Sequence, residues 1–200
     1  MSPEGDGFLS SLHVVALPKE FTAPPFDCGE PDLTDYLCDG TAVTDQLTGF
    51  SCSYLVTLPD GELVGYFAVL ADSIRLRTKE RPKGARYSTA PALKLGRMGV
   101  DNGFKGRGVG TWILDFVVGL ARSVAEDIGI RYVTLDAMRR DSLVAWYERY
   151  GFVRNEGETD REIAVLKFFK RFKSDDGLTH TSMRFDILLE EELRGAATVS

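Results

Sequence analysis

The sequence of 200 residues is poor in the side chains that hold metals, with only 2 histidines and 3 cysteines. His13 and His180 stand apart from any ligand constellation, and Cys28, Cys38 and Cys52 lack the short paired spacing of a zinc or redox site. No metal is expected. The odd number of thiols argues against a disulfide framework, so free, partly buried cysteines in a reducing compartment are expected. No apolar run reaches the roughly 20 residues of a membrane span. The opening "MSPEGDGFLSSLHVVALPKE" lacks the basic-then-apolar order of a secretory signal. A soluble, cytoplasmic protein with no membrane partner follows as the expectation. Internal repeats and low-complexity tracts are also missing.

What is present suffices for one substantial core: 44% of the residues are hydrophobic. One domain is expected over residues 12–190, between a flexible N-terminus (1–11) and a flexible tail (191–200). The net charge of −6 hides an uneven distribution. Residues 1–50 hold nine acidic residues and one basic, whereas Arg75, Arg77, Lys79, Arg81, Lys83, Arg86, Lys94 and Arg97 are opposed in their stretch only by Glu80. Such a basic block either attracts polyphosphate or nucleic acid or is a solvated loop with counter-charges folded nearby. A sequence pI near 5.0 argues against a general nucleic-acid coat.

The β-branched run "HVVAL" (13–17) predicts a strand, and a proline-broken loop separates it from one or two short helices over 32–47. "CSYLVTLPDGELVGYFAVLAD" predicts a hairpin turning at Pro59-Asp60-Gly61. A basic loop (75–91) leads into the strand "ALKLGRMGV". Val109, Trp112, Ile113, Phe116, Val117, Leu120 and Val124 then recur at helical spacing, which predicts a helix with one buried face. "IRYVTLDA" (130–137) is the next strand, and Leu143, Trp146, Tyr147 and Tyr150 mark a helix stopped by Gly151. "EIAVLKFFKRF" and "SMRFDILL" read as two closing strands around a polar, mobile "KSDDGLTH".

Between the basic strand and the long helix lies "FKGRGVG" (104–110), three glycines and two cations at a helix start. A glycine inside a helix costs about 1 kcal/mol relative to alanine, so their concentration needs a reason. After a strand, such a turn exposes backbone N–H groups, and the helix dipole adds positive potential. The device is an anion site, and small residues let a pyrophosphate approach the backbone. A nucleotide P-loop is excluded because no lysine precedes Thr111, and the glycine order fits a dinucleotide fingerprint poorly.

The order Lys105-Gly106-Arg107-Gly108-Val109-Gly110 resembles the acetyl-CoA pyrophosphate loop of the GNAT acetyltransferases, Q/R-x-x-G-x-G/A, with Lys105 in place of the usual glutamine or arginine. "AWYERYGF" (145–152) resembles the family's Y-x-x-x-G-F motif downstream. The resemblance spans about residues 12–190 and implies an α+β GNAT fold: a mixed, mostly antiparallel central sheet of about six to seven strands with helices on both faces. Narrower likenesses, in "FDCGEPDLTDYL", "LGRMGVD" and the Asp136-Ala137 pair, point to GNAT enzymes that act as toxins in toxin–antitoxin pairs and acetylate aminoacyl-tRNA. Trp146 in place of phenylalanine, Arg140 in place of asparagine and the extension past 172 depart from that group.

The resemblance implies acetyl-CoA as co-substrate, held by Met98, Gly99 and Val100 along the strand and by Lys105, Gly106, Arg107, Gly108, Val109, Gly110 and Thr111 at the pyrophosphate. It gives Tyr147 the role of acid toward the departing thiolate, with Tyr150 as understudy. Glu62, Asp101 and Glu148 are candidate bases, each more simply read as a surface carboxylate. An acceptor α-amine, with a pKa near 8, is partly neutral at cellular pH and needs little help. Arg75, Arg77, Arg86 and Arg97 are then candidates for the acceptor side, on tRNA phosphates. Aminoacyl-tRNA, a small DNA-binding antitoxin and a second copy in a homodimer are the expected partners. A small amine or protein N-terminus as acceptor, and a non-catalytic acyl-CoA-binding module, stand as alternatives.

Overall fold

The computed structural model describes residues 3–168 and 178–189. In chain order the elements are α1 (Pro3–Ser10), β1 (His13–Ala16), α2 (Pro31–Cys38), α3 (Thr41–Leu47), β2 (Cys52–Thr57), β3 (Leu63–Arg75), β4 (Thr89–Val100), α4 (Val109–Ala125), β5 (Tyr132–Met138), α5 (Asp141–Tyr150), β6 (Val153–Arg154), α6 (Glu156–Phe168) and β7 (His180–Asp186). The seven strands follow the order β1-β2-β3-β4-β5-β7-β6. The long strands β3 and β4 each contribute to two compact units, one holding the chain up to Leu70 and Leu95–Val117, the other Ala71–Lys94 and the chain from Val118 on.

In the first unit β1 and β2 pair antiparallel, with Ala16 opposite Tyr54, and β2 pairs antiparallel with β3, with Tyr54 opposite Phe67. The predicted hairpin turns at Gly61, whose φ of +90° requires a residue without a Cβ, and Leu58 N–H donates to Glu62 O at 3.0 Å. Leu17, Phe26, Tyr36, Leu37, Leu55 and Tyr66 form its core. The phenol of Tyr66 donates to Leu33 O at 2.5 Å, which ties α2 to the sheet. The buried face of α4 is rotated from the expected stripe. Val109, Ile113, Leu114 and Val117 are buried, whereas Phe116 is exposed and Trp112 half-buried. The two aromatics stack with each other, and Phe116 also meets Phe67.

In the second unit β5 and β7 pair antiparallel, with Leu135 opposite Met183, and β7 carries the two-residue β6 on its other side. Ile74, Leu76, Ala92 and Tyr132 cluster in its core. Gly151 ends α5 at φ +119°, and both Gly151 and Phe152 donate to Tyr147 O. This seats Phe152 in the core, edge-on to Tyr147.

One predicted strand is a helix. "EIAVLKFFKRF" begins inside α6, which runs to Phe168; the rest of the segment, the mobile stretch and the tail lie outside the described residues, apart from its Leu178-Thr179-His180 end. The β-branched and aromatic residues that suggested a strand are overridden by a cap from far away. The Glu80 carboxylate accepts the N–H groups of Glu156 and Gly157 at 2.9 Å each, satisfying donors at the helix start. Residues 1–11, read as a flexible end, contain α1, and the basic loop is shorter than predicted because β3 takes in Arg75 and β4 already begins at Thr89.

Candidate active site

The glycine loop is pinned from behind. Asp101 donates its N–H to Val64 O at 2.9 Å, and its carboxylate accepts from Gly103 N at 2.9 Å and Asp27 N at 3.1 Å. Asp101, a candidate base in the sequence, therefore has three structural partners. Beyond it Gly106 and Gly108 take φ values of +75° and +88°. Both positions need glycine for the backbone itself. A Cβ on Gly106 would point into open space.

α4 starts at Val109, and its first ladder bond runs from Trp112 N to Gly108 O at 3.0 Å. Among the described residues, no backbone N–H from Gly106 to Thr111 donates to a protein group. This cluster of unsatisfied donors at the positive end of a 17-residue helix fits a pyrophosphate.

The cations of the loop have protein partners. Lys105 Nζ donates to Cys28 O at 2.6 Å. Arg107 lies over Phe8 of α1, its Cζ 3.6 Å from the ring centroid, and Phe8 stacks on Phe104 with 6.0 Å between centroids. A Cβ on Gly108 would come within 3.2 Å of Leu9. The contribution of α1 to this loop was missed by the sequence reading, and no local signal in "GFLS" announces it.

On β4, Met98 and Val100 are half-buried. Gly99 is small for packing: a Cβ there would stand 2.7 Å from a ring carbon of Tyr66 and 3.3 Å from Cys28 Sγ. Arg97 projects over the Tyr36 ring, 5.4 Å from its centroid. The first unit thus brings together Arg97, Met98, Gly99, Val100 and the loop from Lys105 to Thr111. The three cysteines are free, Cys28 buried and the other two exposed.

The second unit holds Tyr147, Arg75, Arg77 and Arg86. Tyr147 is buried on α5 between Trp146 and Phe152, both edge-on to it. Burial pushes its phenol up to about 12, so the hydroxyl keeps its proton throughout the neutral range. Glu148, another candidate base, pairs with Arg154 at 2.9 Å.

Arg77 forks onto Asp160, with Nε at 2.6 Å and Nη2 at 2.5 Å, and Nη1 meets Glu156. Lys79 joins Glu156 at 2.7 Å. The hydrogen bonds from Arg77 hold the Asp160 carboxyl below its ordinary value, and those from Lys79 do the same for Glu156. Arg75 N–H donates to Glu158 at 2.9 Å, and Arg86 is exposed.

Comparison with known proteins agrees with this reading of the fold. The family model of the acetyltransferase (GNAT) domain matches residues 51–154. A tRNA-acetylating toxin of Mycobacterium tuberculosis is 30% identical over 128 residues, covering 64% of this chain and 75% of that protein. The chain belongs to the GNAT acetyltransferase family.

Among solved structures, AtaT complexed with acetyl-methionyl-tRNAfMet is similar in fold, with a TM-score of 0.71 at 19% identity over 91% of this chain and 98% of that one. A tyrosine-to-phenylalanine mutant of KacT gives 0.71 at 20% identity, over 92% and 99%. A structure of AtaTR bound with AcCoA gives 0.67 at 19% identity, over 92% and 98%. Among the described residues, no helix is long and apolar enough to cross a membrane.

Proposed function

We propose that this acetyltransferase moves the acetyl group of acetyl-CoA to the α-amino group of aminoacyl-tRNA and acts as the toxin of a toxin–antitoxin pair. The observation that carries the acceptor is the 30% identity to a tRNA-acetylating toxin along 75% of that protein's length. In this reading the acetyltransferase unit is residues 12–190, the enzyme works in the cytoplasm without a metal, and its partners are a second copy and a small DNA-binding antitoxin.

Acetyl-CoA supplies an acetyl thioester. The protein's part begins at the glycine loop, where the free N–H groups of residues 106–111 and the start of α4 hold the pyrophosphate, with Lys105 and Arg107 as nearby charge. Met98, Gly99 and Val100 present the β4 backbone along the pantetheine arm, which fixes the thioester and removes much of the entropic barrier to attack. The amine nitrogen bonds to the carbonyl carbon and the C–S bond breaks. The Tyr147 hydroxyl gives its proton to the departing sulfur, and the proton that the new amide loses returns through water to the phenolate, restoring the enzyme. A phenol raised to about 12 is protonated for this step at any cellular pH. Arg75, Arg86 and Arg97 are assigned to the acceptor side, as electrostatic contacts to RNA phosphates. Arg77, expected there from the sequence, has its guanidinium taken by Asp160 and Glu156 and supports the loop instead.

The test is transfer of labelled acetyl to charged tRNA, beside deacylated tRNA and free amines, with Tyr147→Phe in parallel. Label on charged tRNA alone, lost with the phenol, supports the reading. Label on free amines moves the acceptor to a small amine or a protein N-terminus, and acetyl-CoA binding without transfer makes the chain a binding module.

A further inference from the structure

The basic loop between β3 and β4 is tied down at its base. Its base is closed by Leu76 N–H to Ser88 O at 2.8 Å. Glu80, whose side chain is 6% exposed, accepts from Arg77 N at 2.8 Å and from the two N–H groups that start α6, and pairs with Arg184 at 2.7 Å. Gly157 lets the loop settle on that helix: a Cβ there would run into the Arg75 carbonyl and stand 2.8 Å from Arg77 N. Arg77 and Lys79 are held on α6 by Glu156 and Asp160.

The far part of the loop is a different surface. A turn closed by Ala85 N–H to Pro82 O at 3.0 Å, with Gly84 at φ +83°, carries Lys83, and Arg86 and Tyr87 follow it. All three are exposed, and Tyr87 is 80% exposed. From Arg81 to Ser88 the chain has three cations and no acidic residue. Phe50, the next most exposed aromatic among the described residues at 72%, lies in the acidic first fifty residues, where a polyanion would be repelled. Among the described residues, Tyr87 alone combines an exposed ring with neighbouring cations on an anchored support.

A ring so placed, flanked by Lys and Arg, is the recognition chemistry of unpaired nucleotides: the base stacks on the aromatic face and the cations take the phosphates. We infer that Tyr87 is a base-stacking residue for the unpaired 3′ end of the acceptor RNA, with Lys83 and Arg86 as its phosphate contacts and Arg77 and Lys79 as loop anchors. The inference rests on the aminoacyl-tRNA reading and adds to it the element that grips the RNA.

The experiment uses the full chain and a short single-stranded RNA ending in CCA, with fluorescent 2-aminopurine placed in turn at each position of that end. Quenching is expected on the wild-type protein at one position, retained in Tyr87→Phe and lost in Tyr87→Ala, where binding weakens about five- to a hundredfold. Lys83→Glu and Arg86→Glu each lower the slope of log affinity on log salt by about 0.7. Quenching that survives in Tyr87→Ala overturns the inference, as does absence of quenching at every position on the wild-type protein. Acetylation of charged tRNA is measured alongside: failure there with Tyr87-dependent quenching removes the acceptor reading and keeps the stacking. Acetylation with an unaltered tRNA KM in Tyr87→Ala removes the stacking alone.

Discussion

The guanidinium of Arg107 lies over the ring of Phe8, with Cζ 3.6 Å from the ring centroid. A cation of the glycine loop is thus held by a helix that precedes the rest of the fold. The pairing satisfies Arg107 while keeping it within the glycine loop, where the proposed function uses its charge. It also makes α1 a competitor for that charge.

Phe8→Ala releases Arg107 from a contact worth about 0.5–1 kcal/mol at an exposed site. Acetyl-CoA binding, measured by calorimetry, is expected to tighten about two- to fivefold. Weaker binding would mean that α1 supports the site instead of competing for its cation.

Gly106→Ala and Gly99→Ala separate two uses of glycine. At position 106 the Cβ meets no protein atom, and the left-handed backbone costs an L-residue about 1–2 kcal/mol. The expected result is a modest fall in Tm and, because this position lies within the loop whose N–H groups are open, acetyl-CoA affinity reduced about tenfold. At position 99 the methyl group meets the Tyr66 ring at 2.7 Å inside the core. Overpacking of this kind costs about 1–3 kcal/mol, so the loss there is expected in stability. Equal effects of the two variants on acetyl-CoA affinity would refute the distinction.

Tyr147→Phe is expected to lower kcat about 10²- to 10⁴-fold with acetyl-CoA affinity unchanged. The phenol's proton is held from its ordinary value near 10 up to about 12 in the folded protein. The pH–rate profile should therefore rise as the acceptor amine loses its proton and show no descending limb from Tyr147 below about pH 10. Because the unfolded state ionises first, folding stability falls as pH rises from about 10 to 12, and Tyr147→Phe removes that part of the loss. A wild-type kcat limb near neutrality that vanishes in the variant would show a phenol of much lower pKa.

The sequence disclosed those features whose causes are local. The glycine turn of the hairpin, the helical spacing in α4, the Gly151 stop and the strand–loop–helix around Gly108 are each set by neighbours a few residues apart, and each stands where the pattern put it. The rotated face of α4 escaped because Leu114 replaces Phe116 in the core, a choice made by the packing surface. α6 escaped because its start is satisfied by Glu80, 76 residues before Glu156. Asn155 with Glu156 and Glu158 in the first turn was the available sign of a helix start, and the apolar run after it was misread as a strand. The partners of Lys105 and Arg107, Cys28 O and Phe8, are long-range contacts that no motif encodes.

Glu80→Gln tests the anchor of the basic loop. Burial pushes the Glu80 carboxyl up, but the N–H groups of Arg77, Glu156 and Gly157 and the charge of Arg184 outweigh it and hold the group below its ordinary value. A lowered carboxyl stabilises the fold above about pH 4.5 and loses that contribution as pH falls through the folded value. The amide cannot compensate Arg184, whose side chain is 10% exposed, so urea unfolding at neutral pH should show a loss of about 3–5 kcal/mol. The variant's stability should then fall less than that of the wild-type protein between pH 5 and pH 3. Because the loop's outer cations depend on this anchor for their position, the variant should also raise the KM for charged tRNA while leaving the KM for acetyl-CoA unchanged. Parallel acid profiles for the two proteins would show that Glu80 carries no net charge linkage, and the loop would have to be held by Arg77 and Lys79 on α6 alone.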